Sequence, residues 1–195
     1  MRIAVFASGN GSNFQAIHEA VQSGQLQATI ACVIYDRADA FVRQRAEQAQ
    51  IPAHYVNLKA HQDKVAYETT ILSHLQAAQV NLIILAGYMK IIGPTLLSAY
   101  PQRILNIHPS LLPAFPGKSG ILDAYTAGVS TTGVTVHLVD AGVDTGPILQ
   151  QASVSIREGE SLDSLTERIH QVEHRLYPEV IQTYIQQLIQ EGDSL

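Results

Sequence analysis

MRIAVFASGNGSNFQAIHEAVQ, residues 1–22, is the stretch that decides the fold. Arg2 to Ala7 is a short apolar run of strand type, and a helical pattern extends from Asn13 to about Gln22. Between them lies Ser8-Gly9-Asn10-Gly11-Ser12-Asn13. Glycines there let the backbone turn tightly, and the free amides of a helix N-terminus point outward, where they suit an anion. Ser12 or Asn13 is placed both to cap the helix and to bond a phosphate oxygen. The turn departs from the dinucleotide fingerprint, because Phe14 stands where a third glycine would allow close helix packing. Asp36, ending the next strand, keeps a ribose-binding acid in view. The plainer alternative is a βα turn with a good cap.

The same unit repeats outward. Thr29 to Tyr35 precedes a helix from about Ala38 to Ala49, and Ala53 to Asn57 precedes one from about Gln62 to Ala77. Leu82 to Ala86, a short helix near Pro94 to Ala99 and the strand Arg103 to His108 follow. The alternation predicts an α/β, Rossmann-like fold, a mostly parallel twisted sheet with helices on both faces and right-handed crossovers. After His108 the pattern changes. Pro109 to Gly117 carries three prolines and must be an irregular loop, with a short helix from about Ile121 to Ala127 behind it. Val134, Val136 and Leu138 alternate as a strand, Asp140 to Pro147 is a glycine-containing loop, and another strand runs through Val154.

Ser161 reads as an N-cap, with Asp163 in the first turn. Leu162, Leu165, Ile169, Val172 and Leu176 then form one apolar stripe of a long C-terminal helix. Pro178 is expected to kink or restart it before Ile181, Ile185 and Leu188 continue. With no linker or repeat, residues 1–195 read as one domain. Its phosphate-binding half extends to about residue 100, and its catalytic half covers about 101–195.

Composition narrows the function classes. The net charge is −5 and Lys and Arg are scattered, so no basic stripe suits a nucleic acid. The lone Cys32, inside an apolar strand, excludes an intramolecular disulfide. The chain shows no signal-peptide pattern and no apolar run long enough to span a membrane, so a cytoplasmic protein, monomer or homodimer, is expected.

The chemistry concentrates in Ile104-Leu105-Asn106-Ile107-His108. A period of two puts Asn106 and His108 on one face at a strand's C-terminal end, where open α/β sheets bind ligands. Alone they would read as a satisfied polar pair. Three segments together resemble the folate-dependent formyltransferase family: Asn106-Ile107-His108-Pro109-Ser110-Leu111-Leu112-Pro113, Asp140-x-Gly142-x-Asp144-Thr145-Gly146-Pro147, and Gly9-Asn10-Gly11-Ser12-Asn13. They follow the family's order across nearly the whole chain.

The resemblance implies a reaction in which a ribonucleotide amine takes a formyl group from 10-formyltetrahydrofolate, with no metal. Asn106, His108 and Asp144 are then the catalytic set. The amide and an imidazolium suit a developing oxyanion, and the carboxylate supports the protonated ring. Thr135 and His137 share a face of the following strand and are expected to order these groups from behind. By the same resemblance, Gly11, Ser12 and Asn13 hold the substrate phosphate. His170 and Glu173, three residues apart on the C-terminal helix, face the ribonucleotide. Met89, Lys90, Ile91 and Ile92 meet the folate with Asn106, Asp140 and Asp144, Lys64 meets its tail, and the Leu112–Pro113 bond is cis.

Several rivals remain at this level. His108, His137 and Asp144 include a zinc-type donor set, but the helical spacing of many such sites is missing. A folate deformylase would share the Asn-His-Asp set and would be expected to carry an extra N-terminal domain. A tRNA formyltransferase would carry a basic C-terminal module. A non-catalytic nucleotide-binding domain would use the histidine only structurally.

Overall fold

The computed structural model describes residues 1–192; the last three positions of the domain read over 1–195 lie outside the described residues. Seven strands form one sheet: β1 (Arg2–Ala7), β2 (Thr29–Tyr35), β3 (Ala53–Tyr55), β4 (Leu82–Leu85), β5 (Ile104–His108), β6 (Thr131–Leu138) and β7 (Ile148–Ser155). Their spatial order is β3-β2-β1-β4-β5-β6-β7. The first five pair in parallel, while β6 and β7 join antiparallel. The sheet is therefore α/β, Rossmann-like and mostly parallel. The order reverses between β1 and β4, which opens a crevice at their C-terminal ends.

Period-two burial builds a core on each face. Ile3, Val5 and Ala7 of β1 enter one core, and Ala4 and Phe6 enter the other. The first is covered by α1 (Ser12–Gln22), α2 (Val42–Gln48), α5 (Gly120–Thr126) and α6 (Leu162–Gln190). The second lies under α3 (Lys64–Ala77) and α4 (Pro94–Ala99). Phe14, whose bulk departs from the dinucleotide pattern, is fully buried in the first core.

Four local expectations change for identifiable reasons. The helix expected from Ala38 begins at Val42, because the Val42 amide bonds the Gly9 carbonyl at 3.1 Å instead of a helical partner. The strand expected to reach Asn57 ends at Tyr55, since the Asn57 side chain accepts from Lys59 N–H and starts a 3-10 turn, Leu58–Ala60. Asp63 caps α3 by accepting from Ala66 N–H at 2.8 Å, which delays its start to Lys64. Finally, α6 runs unbroken through Pro178. A proline forfeits one helical bond, but Leu176, Tyr177, Val180 and Ile181 on both sides of it are buried in the same core.

Tyr177 fastens that helix to β4 and β5. Its fully buried hydroxyl lies 2.9 Å from the Leu85 carbonyl and 3.1 Å from that of Leu105. Tyr177→Phe should lower stability by about 1–2 kcal/mol, the net worth of a buried hydrogen bond. Urea denaturation of the two proteins checks this.

Candidate active site

At the C-terminal ends of β1, β4 and β5 lies a cavity of about 590 Å³. Gly9 to Asn13 form one end, residues 85–92 one wall, and Asn106 to Pro109 the floor. Gly117, Lys118, His137, residues 139–140 and 142–144, and His170 and Glu173 complete it.

The floor is set by antiparallel register. Asn106 stands opposite His137 and His108 opposite Thr135 across β5 and β6. His137 Nδ1–H donates to the Leu138 carbonyl at 2.8 Å, leaving Nε2 to accept from Asn106 Nδ2 at 3.1 Å. That engages one amide hydrogen of Asn106 and leaves the other. Buried His108 donates from Nε2 to the Phe115 carbonyl at 2.8 Å, so its Nδ1 edge faces Asp144 and the cavity.

Asp144 lies 3.5 Å from His108 Nδ1, 3.5 Å from Asn106 Nδ2 and 3.6 Å from His137 Nε2. These are longer than well-formed hydrogen bonds, so the three groups surround Asp144 without closing on it. Its one short bond comes from Gly117 N–H at 2.8 Å. Burial opposes its ionised form, but contact with His137, the Gly117 amide and the electrostatic influence of His108 outweigh burial and hold the carboxyl below its ordinary range. The residue takes a left-handed backbone, φ 55°, which aspartate tolerates better than most side chains.

Thr135 stays outside the cavity and works beneath it. Its hydroxyl donates to the Ser110 carbonyl at 2.6 Å and accepts from Leu112 N–H at 3.1 Å and from Gln151 Nε2 at 2.9 Å. These bonds pin the turn containing the cis Leu112–Pro113 bond. Gln151 also donates to the Leu112 carbonyl at 2.9 Å and was missed from sequence, because a polar residue on an edge strand carries no signal by itself. Gly120 matters for the same floor: a Cβ there would stand 3.0 Å from His108 Nε2.

The glycine turn differs in detail from its reading. Gly11, with φ 76°, is itself the N-cap of α1, and neither Ser12 nor Asn13 caps the helix. Its first amides therefore have no side-chain acceptor, which suits an anion. Asn13 instead donates to Glu173 Oε2 at 3.0 Å, joining the turn to α6. A Cβ on Gly11 would meet Val42 at 2.6 Å, so Gly11 substitutions disturb α2 packing as well as any ligand.

Of the remaining candidates, Met89, Lys90, Ile91, Ile92, Asp140 and His170 line the cavity, and Lys64 does not. Lys64 sits over Glu68 at 4.0 Å, beside Gly93. Asp36 is not a cavity acid either: its side chain has no exposure and pairs with Lys90 at 3.1 Å. Ser8 and Glu68 were missed and hold the 87–93 loop, accepting from Met89 N–H at 2.8 Å and Gly93 N–H at 2.5 Å. Glu68 was detectable in principle, since it interrupts the buried face of Tyr67, Ile71 and Leu75 with a charge. Among the described residues no group of three His, Cys, Asp or Glu side chains is arranged to hold a metal ion, and no helix is long and apolar enough to cross a membrane.

Comparison with known proteins bears on this geometry. Residues 1–181 match the family model described as formyl transferase. The phosphoribosylglycinamide formyltransferase of Bacillus subtilis (strain 168) is 48% identical over 180 residues, 92% of each chain. That of Escherichia coli (strain K12) is 39% identical over 181 residues, 93% of this chain and 85% of the relative. The crystal structure of phosphoribosylglycinamide formyltransferase from Bacillus halodurans superposes with a TM-score of 0.93 at 47% identity, covering 95% of both chains. Glycinamide ribonucleotide transformylase 1 from Geobacillus kaustophilus gives 0.92 at 55% identity, covering 94% and 97%.

Glu173 provides a pH test of the site. Burial raises its carboxyl from 4.5 to about 7, against the Asn13 hydrogen bond that lowers it. An acid whose folded value is raised favours folding while protonated. Its penalty is absent below pH 4.5, grows as pH rises, and is complete above about 7. Glu173→Gln keeps an acceptor for Asn13 and should remove that slope, gaining about 3 kcal/mol at pH 8 and little at pH 4.5. Urea denaturation at pH 4.5, 6 and 8 measures it.

Proposed function

The chain belongs to the formyl transferase family, and from that we propose that it moves the formyl group of 10-formyltetrahydrofolate to the amine of 5-phosphoribosylglycinamide, as a cytoplasmic step of purine synthesis. The single observation that carries the mechanism is the gathering of Asn106, His108 and Asp144 on one cavity floor with the uncapped glycine turn at its end.

The amine attacks the formyl carbon, forming a C–N bond and placing negative charge on the formyl oxygen. The Asn106 amide hydrogen not held by His137, which makes only the long 3.5 Å contact with Asp144, and Nδ1–H of protonated His108 donate to that oxyanion. Collapse breaks the bond from carbon to the folate nitrogen, which takes a proton as the attacking nitrogen loses one. His108, or a water it orients, carries that proton. Asp144 keeps its negative charge in this site and stabilises the imidazolium across the 3.5 Å gap. The glycine turn and Glu173 take the phosphate and the ribose, while residues 89–92 and the 140–144 loop enclose the folate ring.

Consumption of 10-formyltetrahydrofolate, followed with and without the glycinamide ribonucleotide, tests the assignment. Consumption should require the amine and yield one formylated product per folate. Equal consumption in its absence would mean hydrolysis.

Asn106→Ala removes one oxyanion donor. Turnover should fall about 100-fold, ~3 kcal/mol in the transition state, with both KM values little changed. Steady-state kinetics with each substrate varied in turn reads this directly, and near-normal turnover would assign the oxyanion to another donor.

A further inference from the structure

The 87–93 loop forms a wall of the cavity, and its side chains divide between two sides. Met89 and Ile91 are 49% and 58% exposed, while Ile92 is buried. Lys90 also lines the cavity and places its ammonium 3.1 Å from Asp36 Oδ2. Asp36 follows β2 directly, and its side chain is wholly enclosed. Among the described residues neither of its oxygens receives a hydrogen bond, and the Lys90 ammonium is the cation paired with this carboxylate. A buried charge is strongly unfavourable without such a partner.

The pair occupies a particular place in the loop. Ser8 fixes the backbone at Met89 and Glu68 fixes it at Gly93. Between these two ties stand Lys90, Ile91 and Ile92, and the Lys90 ammonium is paired with Asp36, the residue that follows β2. Lys90 itself was expected from sequence to meet the folate, whereas here its charge is directed at Asp36.

We propose that Asp36 is a positioning residue for the folate: by holding the Lys90 ammonium beneath the 87–93 loop, it fixes the backbone edge of residues 89–92 against which the folate ring binds. Asp36 does not touch the cavity and takes no part in the chemistry. The proposal rests on the reading of this loop as the folate wall. It requires that loss of either charge weaken folate alone, because the phosphate turn and the floor are held by other contacts.

Four variants test it, each with both KM values, kcat and Tm measured: Asp36→Asn, Lys90→Met, the double variant, and Ile91→Asp on the exposed side of the loop. Asp36→Asn should raise the KM for 10-formyltetrahydrofolate about tenfold, equivalent to ~1.4 kcal/mol, a usual coupling for contacting residues. The ribonucleotide KM and kcat at saturation should stay within about twofold. Lys90→Met strands a buried carboxylate and should fold least well. The double variant buries no charge, so it carries the same test if a single variant fails to fold. Its folate KM should be no worse than that of Asp36→Asn, because both changes remove one tie.

A folate KM unchanged in Asp36→Asn and in the double variant, while Ile91→Asp raises it, would overturn the positioning role and leave the folate wall standing. An unchanged folate KM in all of them would overturn both. Parallel losses in both KM values, kcat and Tm would assign Asp36 to general stability and also overturn the proposal.

Discussion

The antiparallel pairing of β6 against β5 is the constraint on which the site depends. It places His137 opposite Asn106, so the amide is oriented by a ring whose own tautomer is set by the Leu138 carbonyl. It also places Thr135 opposite His108, where its hydroxyl ties down the proline turn that supplies the Phe115 carbonyl to His108. The chain then leaves β6 and returns into β7, with Leu138 N–H bonded to the Pro147 carbonyl at 2.9 Å. That closed loop carries Asp144 back over Asn106 and His108. A one-residue slip would turn every one of these side chains to the opposite face.

Two carboxyls of this cavity, Glu173 buried and Asp144 partly so, show how environment, more than residue type, sets ionisation. Asp144 has an amide and two imidazoles around it and is kept charged despite burial. Glu173 has one amide donor in a more enclosed place and is pushed up to about 7. The first suits a permanent negative charge beside a histidine. The second changes protonation near neutral pH, at the end of the cavity where Asn13 joins it to the phosphate turn.

The repeating strand–helix pattern was legible because buried parallel strands leave continuous apolar runs such as Leu82–Leu85, and α6 shows its stripe at helical spacing. Element ends were less legible where a contact distant in sequence decides them, as the Gly9–Val42 bond does for α2. Asn106, His108 and Asp144 were readable because period two aligns the first pair and a family resemblance points to the third. Asp36 showed the limit: a strand-ending acid reads as a ribose ligand until its distant partner, Lys90, is seen beside it. Gly11 was placed correctly in the turn but for an incomplete reason, since Val42 excludes a side chain there in addition to its left-handed φ.

We propose that Asp144 acts through its negative charge on the groups around it, His108 above all. Asp144→Asn keeps the size and a residue type that tolerates the left-handed backbone at φ 55°. The direct measurement is the single-turnover rate of formyl transfer with both ligands saturating, alongside the Kd of each ligand. The rate should fall by about 100-fold or more, with both Kd values within a few-fold of the parent. An unchanged rate, or a loss that disappears on raising ligand concentration, would contradict it.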